Sequence, residues 1–147
     1  MDADPELRTS LTRKKEQMAL KFEDLTGRII GVCMDVHNEL GHGFSESVYH
    51  KALLVALREA GLSAASEVRI PVVFRGHEVG VYVADLLVEE KIIVEIKALA
   101  NLLKEHQAQV INYLKGTGLL VGLLVNFGSN RLQHKRLEHP SHYGTSN

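Results

Sequence analysis

The stretch Val83-Ala84-Asp85-Leu86-Leu87-Val88-Glu89-Glu90-Lys91-Ile92-Ile93-Val94-Glu95-Ile96-Lys97 decides the fold. Apolar residues flank the charged triplet Glu89-Glu90-Lys91 on both sides, the pattern of two strands joined by a turn. If those three residues close a hairpin, Val88 pairs with Ile92, Leu86 with Val94, and Asp85 falls opposite Glu95. Opposed residues of an antiparallel pair project to one face, with Cβ atoms about 4.5–5.5 Å apart. Lys97 lies two residues beyond Glu95 and shares that face. The expected geometry is two carboxylates and an ammonium converging inside an apolar sheet. A two- or four-residue turn would shift the register by one and send Asp85 and Glu95 to opposite faces.

Two carboxylates facing each other in a low-dielectric setting repel, and burying either alone is costly. A divalent cation between them relieves both problems. Hard carboxylate oxygens with no histidine or thiolate beside them favour Mg2+ or Mn2+ over zinc. A lysine next to such an ion orients or helps to deprotonate an attacking water, or stabilises charge building on a phosphate. The competing account is a structural Asp–Lys or Glu–Lys ion pair at a sheet edge, with the carboxylates in solvent.

Working outward, Leu25, Ile29, Val32, Cys33, Val36 and Leu40 fall at helical spacing, and Gly41 and Gly43 then break the chain. Ser45 is placed as the N-cap of a second helix that runs to about Ala60 and stops at Gly61. Ser66 to Phe74 alternates as a strand, with Pro71 pointing to an edge position or a bulge. Arg75-Gly76-His77 turns the chain into a strand from Glu78 to Val88. Val79, Val81, Val83, Asp85 and Leu87 share one face of it and Tyr82, Ala84, Leu86 and Val88 the other, so both faces read as covered. Beyond Ile92–Lys97 comes a helix of about four turns ending at Lys115 before Gly116, then the apolar run Leu119–Phe127 and a short strand from Gln133 to Leu137. The order α-α-β-β-β-α-β, with one more strand at the end, predicts an α/β fold with a mixed sheet and helices packed against it.

The chain's 147 residues suit one domain. Residues 1–20 read as a polar leader, mobile or loosely helical, 21–138 as the domain and 139–147 as a polar tail. With 17 Lys and Arg against 18 Asp and Glu, bulk positive charge does not hold a nucleic acid, although a local basic rim such as Arg131, Lys135 and Arg136 can still meet a phosphate backbone. The N-terminus lacks the apolar core of a signal peptide and no apolar run is long enough to span a membrane, so a cytoplasmic location is expected. The single Cys33 excludes a disulfide framework, and none of the eight histidines stands in a zinc signature.

Two further groups bear on the carboxylate pair. Glu46 opens the second helix, with Tyr49 and His50 at i+3 and i+4 on the same side. Its bland role is to favour the positive helix N-terminus; its sharper role is a third acid aimed at the same ion. In the later helix Gln109 and Tyr113 stand one turn apart, on a face shared with Leu102 and His106, from which His106 can reach the site.

Gly43-Phe44-Ser45-Glu46-Ser47-Val48-Tyr49 reads G-x-x-E-x-x-Y. With Gly41-His42-Gly43, the Asp85 strand, Val94-Glu95-Ile96-Lys97, Gln109-x-x-x-Tyr113 and the Gly122–Gly128 strand, the chain resembles the GxxExxY family of the PD-(D/E)XK nuclease-like superfamily over about Leu25 to Leu137. The resemblance implies a restriction-endonuclease-like αβββαβ core with an extra N-terminal helix. It implies that Asp85, Glu95 and Lys97 form the catalytic D…ExK set and that Glu46 is an additional helix-borne acid. It further implies that Gln109 and Tyr113 are the Q-x-x-x-Y element of RecB-like members. Asp85, Glu95 and the Ile96 carbonyl would hold one Mg2+ or Mn2+, with Glu46 bound through water or to a second ion. Ala84 stands where the motif's proline would precede Asp85, a departure that touches no metal ligand.

The activity this implies is metal-dependent hydrolysis of nucleic acid phosphodiesters, DNA before RNA. The alternative is a catalytically silent nuclease-fold protein that acts as a nucleic-acid-binding or protein-interaction module. The near-neutral charge is reconciled with catalysis if a homo-oligomer or larger complex completes the substrate channel.

Overall fold

A computed structural model of the chain describes residues 5–143. Its elements are α1 (Pro5–Leu40), α2 (Glu46–Glu59), β1 (Ala64–Phe74), β2 (His77–Val88), β3 (Ile92–Lys97), α3 (Lys104–Thr117), β4 (Val121–Asn126), β5 (Gln133–Glu138) and a closing 3-10 turn (Pro140–Tyr143). The five strands form one mixed sheet in the order β1-β2-β3-β4-β5. Only β3 and β4 run parallel, which requires a crossover, and α3 supplies it. Helices α1 and α2 cover one face through Ile29, Cys33, Val36, Tyr49, Leu53 and Leu57, which pack on Leu86, Val94, Ile96, Leu123 and Val125. Helix α3 covers the other through Val110, Tyr113 and Leu114. Buried on both faces, β3 and β4 are the centre of the sheet.

The β2–β3 turn is the three-residue one expected, and the register follows: Val88 pairs with Ile92 and Leu86 with Val94. Glu89 and Glu90 adopt left-handed backbone (φ 53° and 57°), a conformation that costs an L-residue about 1–2 kcal/mol. The turn is held from outside. The Glu89 N–H donates to the Ser63 carbonyl at 2.9 Å, and its carboxylate accepts from the Ser63 N–H at 2.7 Å, which also draws the Glu89 pKa below its ordinary value. Pro71 does lie on an edge strand, and β1 carries an irregularity between Val72 and Val73.

Several expectations are corrected. Helix α1 begins at Pro5 rather than near Leu25. Residues 6–20 are rich in good helix formers and hold no Gly or Pro, so propensity carries the helix through them. The first buried side chain of α1 among those described is Phe22. Ser45 stands at the N-cap of α2 but makes no side-chain cap; its carbonyl takes the Val48 and Tyr49 N–H groups instead. Helix α3 continues through Gly116 to Thr117, and Gly118 at φ 75° ends it. Gly116 is there for closeness to β1, since a Cβ would stand 2.8 Å from Ile70 Cγ2. Strand β2 is covered on both faces only near its C-terminal end. Val79, Val81 and Val83 are 62%, 46% and 53% exposed, because the β1–β2 hairpin extends past the helices that cover the rest.

Candidate active site

The regular pairing of the central hairpin stops one residue short of the acids. Asp85 and Glu95 stand opposite one another, as the register requires, but the ladder ends at Leu86 and Val94. On the other flank Glu67, which would pair with Asp85, also drops out of the β1–β2 ladder and takes φ 56°. The strand turns over at this point. Leu86 packs in the α1/α2 core, whereas Ala84, two residues earlier, packs with Tyr113 under α3. In an unbroken strand those two side chains would share a face.

Side chains fill the opened ladder. The Asp85 N–H donates to Glu95 Oε1 at 3.2 Å, and the Ile96 N–H donates to Asp85 Oδ2 at 2.7 Å. Each carboxylate thus commits one oxygen to the other strand's backbone and turns its second oxygen to a base. Asp85 Oδ1 lies 3.9 Å from His50 Nδ1, and Glu95 Oε2 lies 3.8 Å from Lys97 Nζ. Glu95 is 5% exposed. Burial first, and the Asp85 charge second, push its carboxyl from 4.5 up to about 7, against the opposing pull of Lys97. Glu95 therefore holds its proton to higher pH than an ordinary carboxyl. A cation would take that proton's place.

The remaining expected residues divide. Glu46, at the start of α2, lines an open cavity of about 440 Å³ together with His50, Lys51, Ser66, Asp85 and Ile96. It is exposed, and among the described residues no three His, Cys, Asp or Glu side chains are gathered closely enough to hold an ion by themselves. Tyr113 stands on the α3 side. Burial, then the Glu95 and Asp85 charges, raise its pKa, so its hydroxyl keeps its proton. The Gln109 side chain opposes that rise, and the hydroxyl lies 3.5 Å from the Val83 carbonyl. Lys97, with a side chain 16% exposed, reaches Glu95 from the end of β3.

Tyr49 does not share a side with His50 as helical spacing suggested. It is fully buried, stacks on Phe127 at 4.8 Å, donates to the Gly41 carbonyl and accepts the Phe44 N–H. The tyrosine of G-x-x-E-x-x-Y is thus the tether of the loop that leads into Glu46. His106 is not a site residue either: its Nδ1 accepts the Leu103 N–H at 2.9 Å and closes the N-terminus of α3. Cys33 is core, as expected, and burial pushes its thiol up to about 12.

Two residues were missed. His50 bridges Ser66 Oγ (2.6 Å from Nε2) and the Asp85 carboxylate, and helical spacing from Glu46 was its only signal. Asn126 is fully buried beside Lys97 in the parallel register. Its amide accepts the Leu99 and Gly128 N–H groups and donates to the Leu99 carbonyl and Gln133, clamping the chain that leaves β3. Gly128 completes the clamp, since a Cβ there would stand 2.3 Å from the Leu99 nitrogen. A polar residue at the end of a buried apolar run was the available signal.

The donor set suits a hard cation. Two carboxylates are pressed together, each with one oxygen free of backbone bonds, and the Ile96 carbonyl belongs to a cavity-lining residue. Residues 23–137 match the family model of the PD-(D/E)XK nuclease superfamily. The solved structure of SSO0001 aligns with a TM-score of 0.51 and 24% identity over 64% of this chain, a likeness of fold. The chain spans 50% of that solved chain. No curated protein matches it. A mixed sheet between helices, opened at an Asp–Glu pair with a lysine two residues on, and matched from residue 23 to residue 137, places this chain in the PD-(D/E)XK nuclease superfamily.

Proposed function

We propose that the chain is a divalent-metal-dependent nuclease of the GxxExxY branch, acting in the cytoplasm on DNA in preference to RNA. The superfamily supports a nuclease-type function and a divalent metal. The observation that carries the reading is the Asp85–Glu95 pair, in which a buried Glu95 with a raised pKa faces a half-buried Asp85 and is flanked by Lys97. A group so costly to bury is kept where a cation is to be bound. Asp85, Glu95 and the Ile96 carbonyl would hold Mg2+ or Mn2+, with Glu46 across the cavity bonding through water. A bound ion there supplies an acidified water and a polarised phosphate. Lys97 orients the nucleophile and favours the ionised form of Glu95 against its burial. Tyr113 and Gln109 donate hydrogen bonds from the α3 side, to a carboxylate or to a phosphate oxygen. His50, tied to Ser66, fixes the Asp85 carboxylate. The G-x-x-E-x-x-Y segment supports the branch assignment through the Tyr49 tether, which sets the loop before Glu46.

The test is cleavage of labelled single-stranded, double-stranded and branched DNA and of RNA, with Mg2+, Mn2+ or chelator. The Lys97→Ala variant should lose metal-dependent cleavage completely while its circular dichroism stays unchanged and its melting temperature falls by only a few degrees. Activity near wild type in that variant would sink the assignment. The second reading, a silent module, is favoured by one observation: Glu46 does not complete a three-residue ligand set. It predicts binding of nucleic acid without cleavage by the wild-type protein under any metal.

A further inference from the structure

A second cavity, of about 400 Å³, opens between the β1–β2 hairpin and the last turns of α3. Its wall is Tyr82, which is 42% exposed and whose ring tilts against that of Tyr113 at 5.6 Å. The cavity is therefore one aromatic ring away from the group that faces the carboxylates. Pro71, Val72 and Val73 give it an apolar floor, and α3 adds the Asn112 amide and the Lys115 ammonium. Gly116, which lets α3 sit close on Ile70, closes one end.

The two cavities differ in sign. The one at the acids is lined by Glu46, Glu67 and Asp85 against Lys51, whereas Lys115 is the one charged residue lining the second. An exposed aromatic face, an amide that both donates and accepts, and a cation are what a nucleotide unit requires: a planar base, its polar edge and its phosphate. A cavity of this volume lies within the range of small-ligand sites, about 300–1,000 Å³. A base inside a duplex is already stacked and paired, so only an unpaired nucleotide can present its ring to Tyr82.

We propose that this cavity takes one unpaired nucleotide of the substrate, with the base stacked on Tyr82, its edge on Asn112 and a phosphate on Lys115. The inference deepens the nuclease reading and rests on it: the substrate at this site is single-stranded nucleic acid. Tyr82 and Lys115 are binding residues here and take no part in bond cleavage.

The experiment measures binding by the full chain in chelator, where no hydrolysis occurs. Fluorescence anisotropy is read on a labelled single strand, on its duplex and on a free mononucleotide, and a 2-aminopurine strand reports stacking. The single strand should bind more tightly than the duplex and quench on binding. Tyr82→Leu, which keeps the apolar volume without the ring, should weaken binding about tenfold to hundredfold, the worth of one base–aromatic stack. Tyr82→Phe should bind as wild type. Lys115→Gln should lower the salt dependence by about one released counterion. Equal binding of duplex and single strand overturns the proposal, as does undiminished binding by folded Tyr82→Leu, or a mononucleotide alone occupying the site. Failure of the nuclease reading looks different: the wild type then cuts nothing with any metal, whatever the binding pattern.

Discussion

Replacing Glu95 by glutamine should stabilise the protein while disabling the proposed site. The unfolded carboxyl releases its proton near 4.5, whereas in the fold burial and Asp85 hold it to about 7. Between those values the folded state binds the extra proton. The stability contributed by Glu95 is therefore fully present below about pH 4.5, falls as pH rises and is lost above about 7. At 1.36 kcal/mol per pH unit the penalty at alkaline pH is about 3 kcal/mol. Glutamine keeps an acceptor for the Asp85 N–H and removes the charge, and the attraction of Lys97 is already contained in the raised value. A gain of about 3 kcal/mol at pH about 8 should raise the melting temperature by roughly 6–12 °C for a domain of this size. The assay is thermal and urea unfolding of wild type and Glu95→Gln in chelator, across the acid-to-alkaline range. The two curves should converge at low pH and separate through neutrality, and Mg2+ should stabilise the wild type alone. A variant no more stable at alkaline pH, or a gap independent of pH, would refute the strained-pair argument.

Three other outcomes follow from the same geometry. Metal binding must displace the proton that Glu95 retains, so apparent affinity should rise about tenfold per pH unit below about 7 and level off above it. Titration calorimetry in buffers of different ionisation enthalpy should show proton uptake by the buffer at mildly acid pH, and none would contradict the model of the pair. Asn126→Ala leaves the Leu99 and Gly128 N–H groups and the Leu99 carbonyl without partners, and should cost about 2–4 kcal/mol in urea unfolding. A loss under about 1 kcal/mol would mean the clamp does not hold β3's exit. Val81→Thr, on the uncovered hairpin face, should change stability by less than about 0.5 kcal/mol, whereas a loss above that would show the face is covered.

Much of the site was legible because strand pairing is arithmetic. A turn of three residues and a side-chain period of two bring Asp85 opposite Glu95 from the sequence alone, and Val88–Ile92 and Leu86–Val94 pair as that count requires. Glu46 was readable as a helix-opening acid, but its distance from the pair was not, since that depends on how α2 docks. Tyr49 and His50 show the limit within one turn of helix. They are neighbours in sequence, yet one stacks in the core on Phe127 and the other meets Asp85. Asn126 was read within the apolar run Leu119–Phe127, and only the loop folded back over it reveals why an amide is buried there.

The sequence by itself determined the order of elements, the hairpin register and the identity of the acids and the lysine, because each follows from local periodicity and turn length. Tertiary structure decided what those residues experience. The break in both ladders at Asp85, the left-handed Glu67 beside it and the packing of α2 and α3 on opposite faces bury Glu95 against a second carboxylate and raise its pKa. Desolvation and charge coupling are set by everything that surrounds a group, so no reading along the chain contains them.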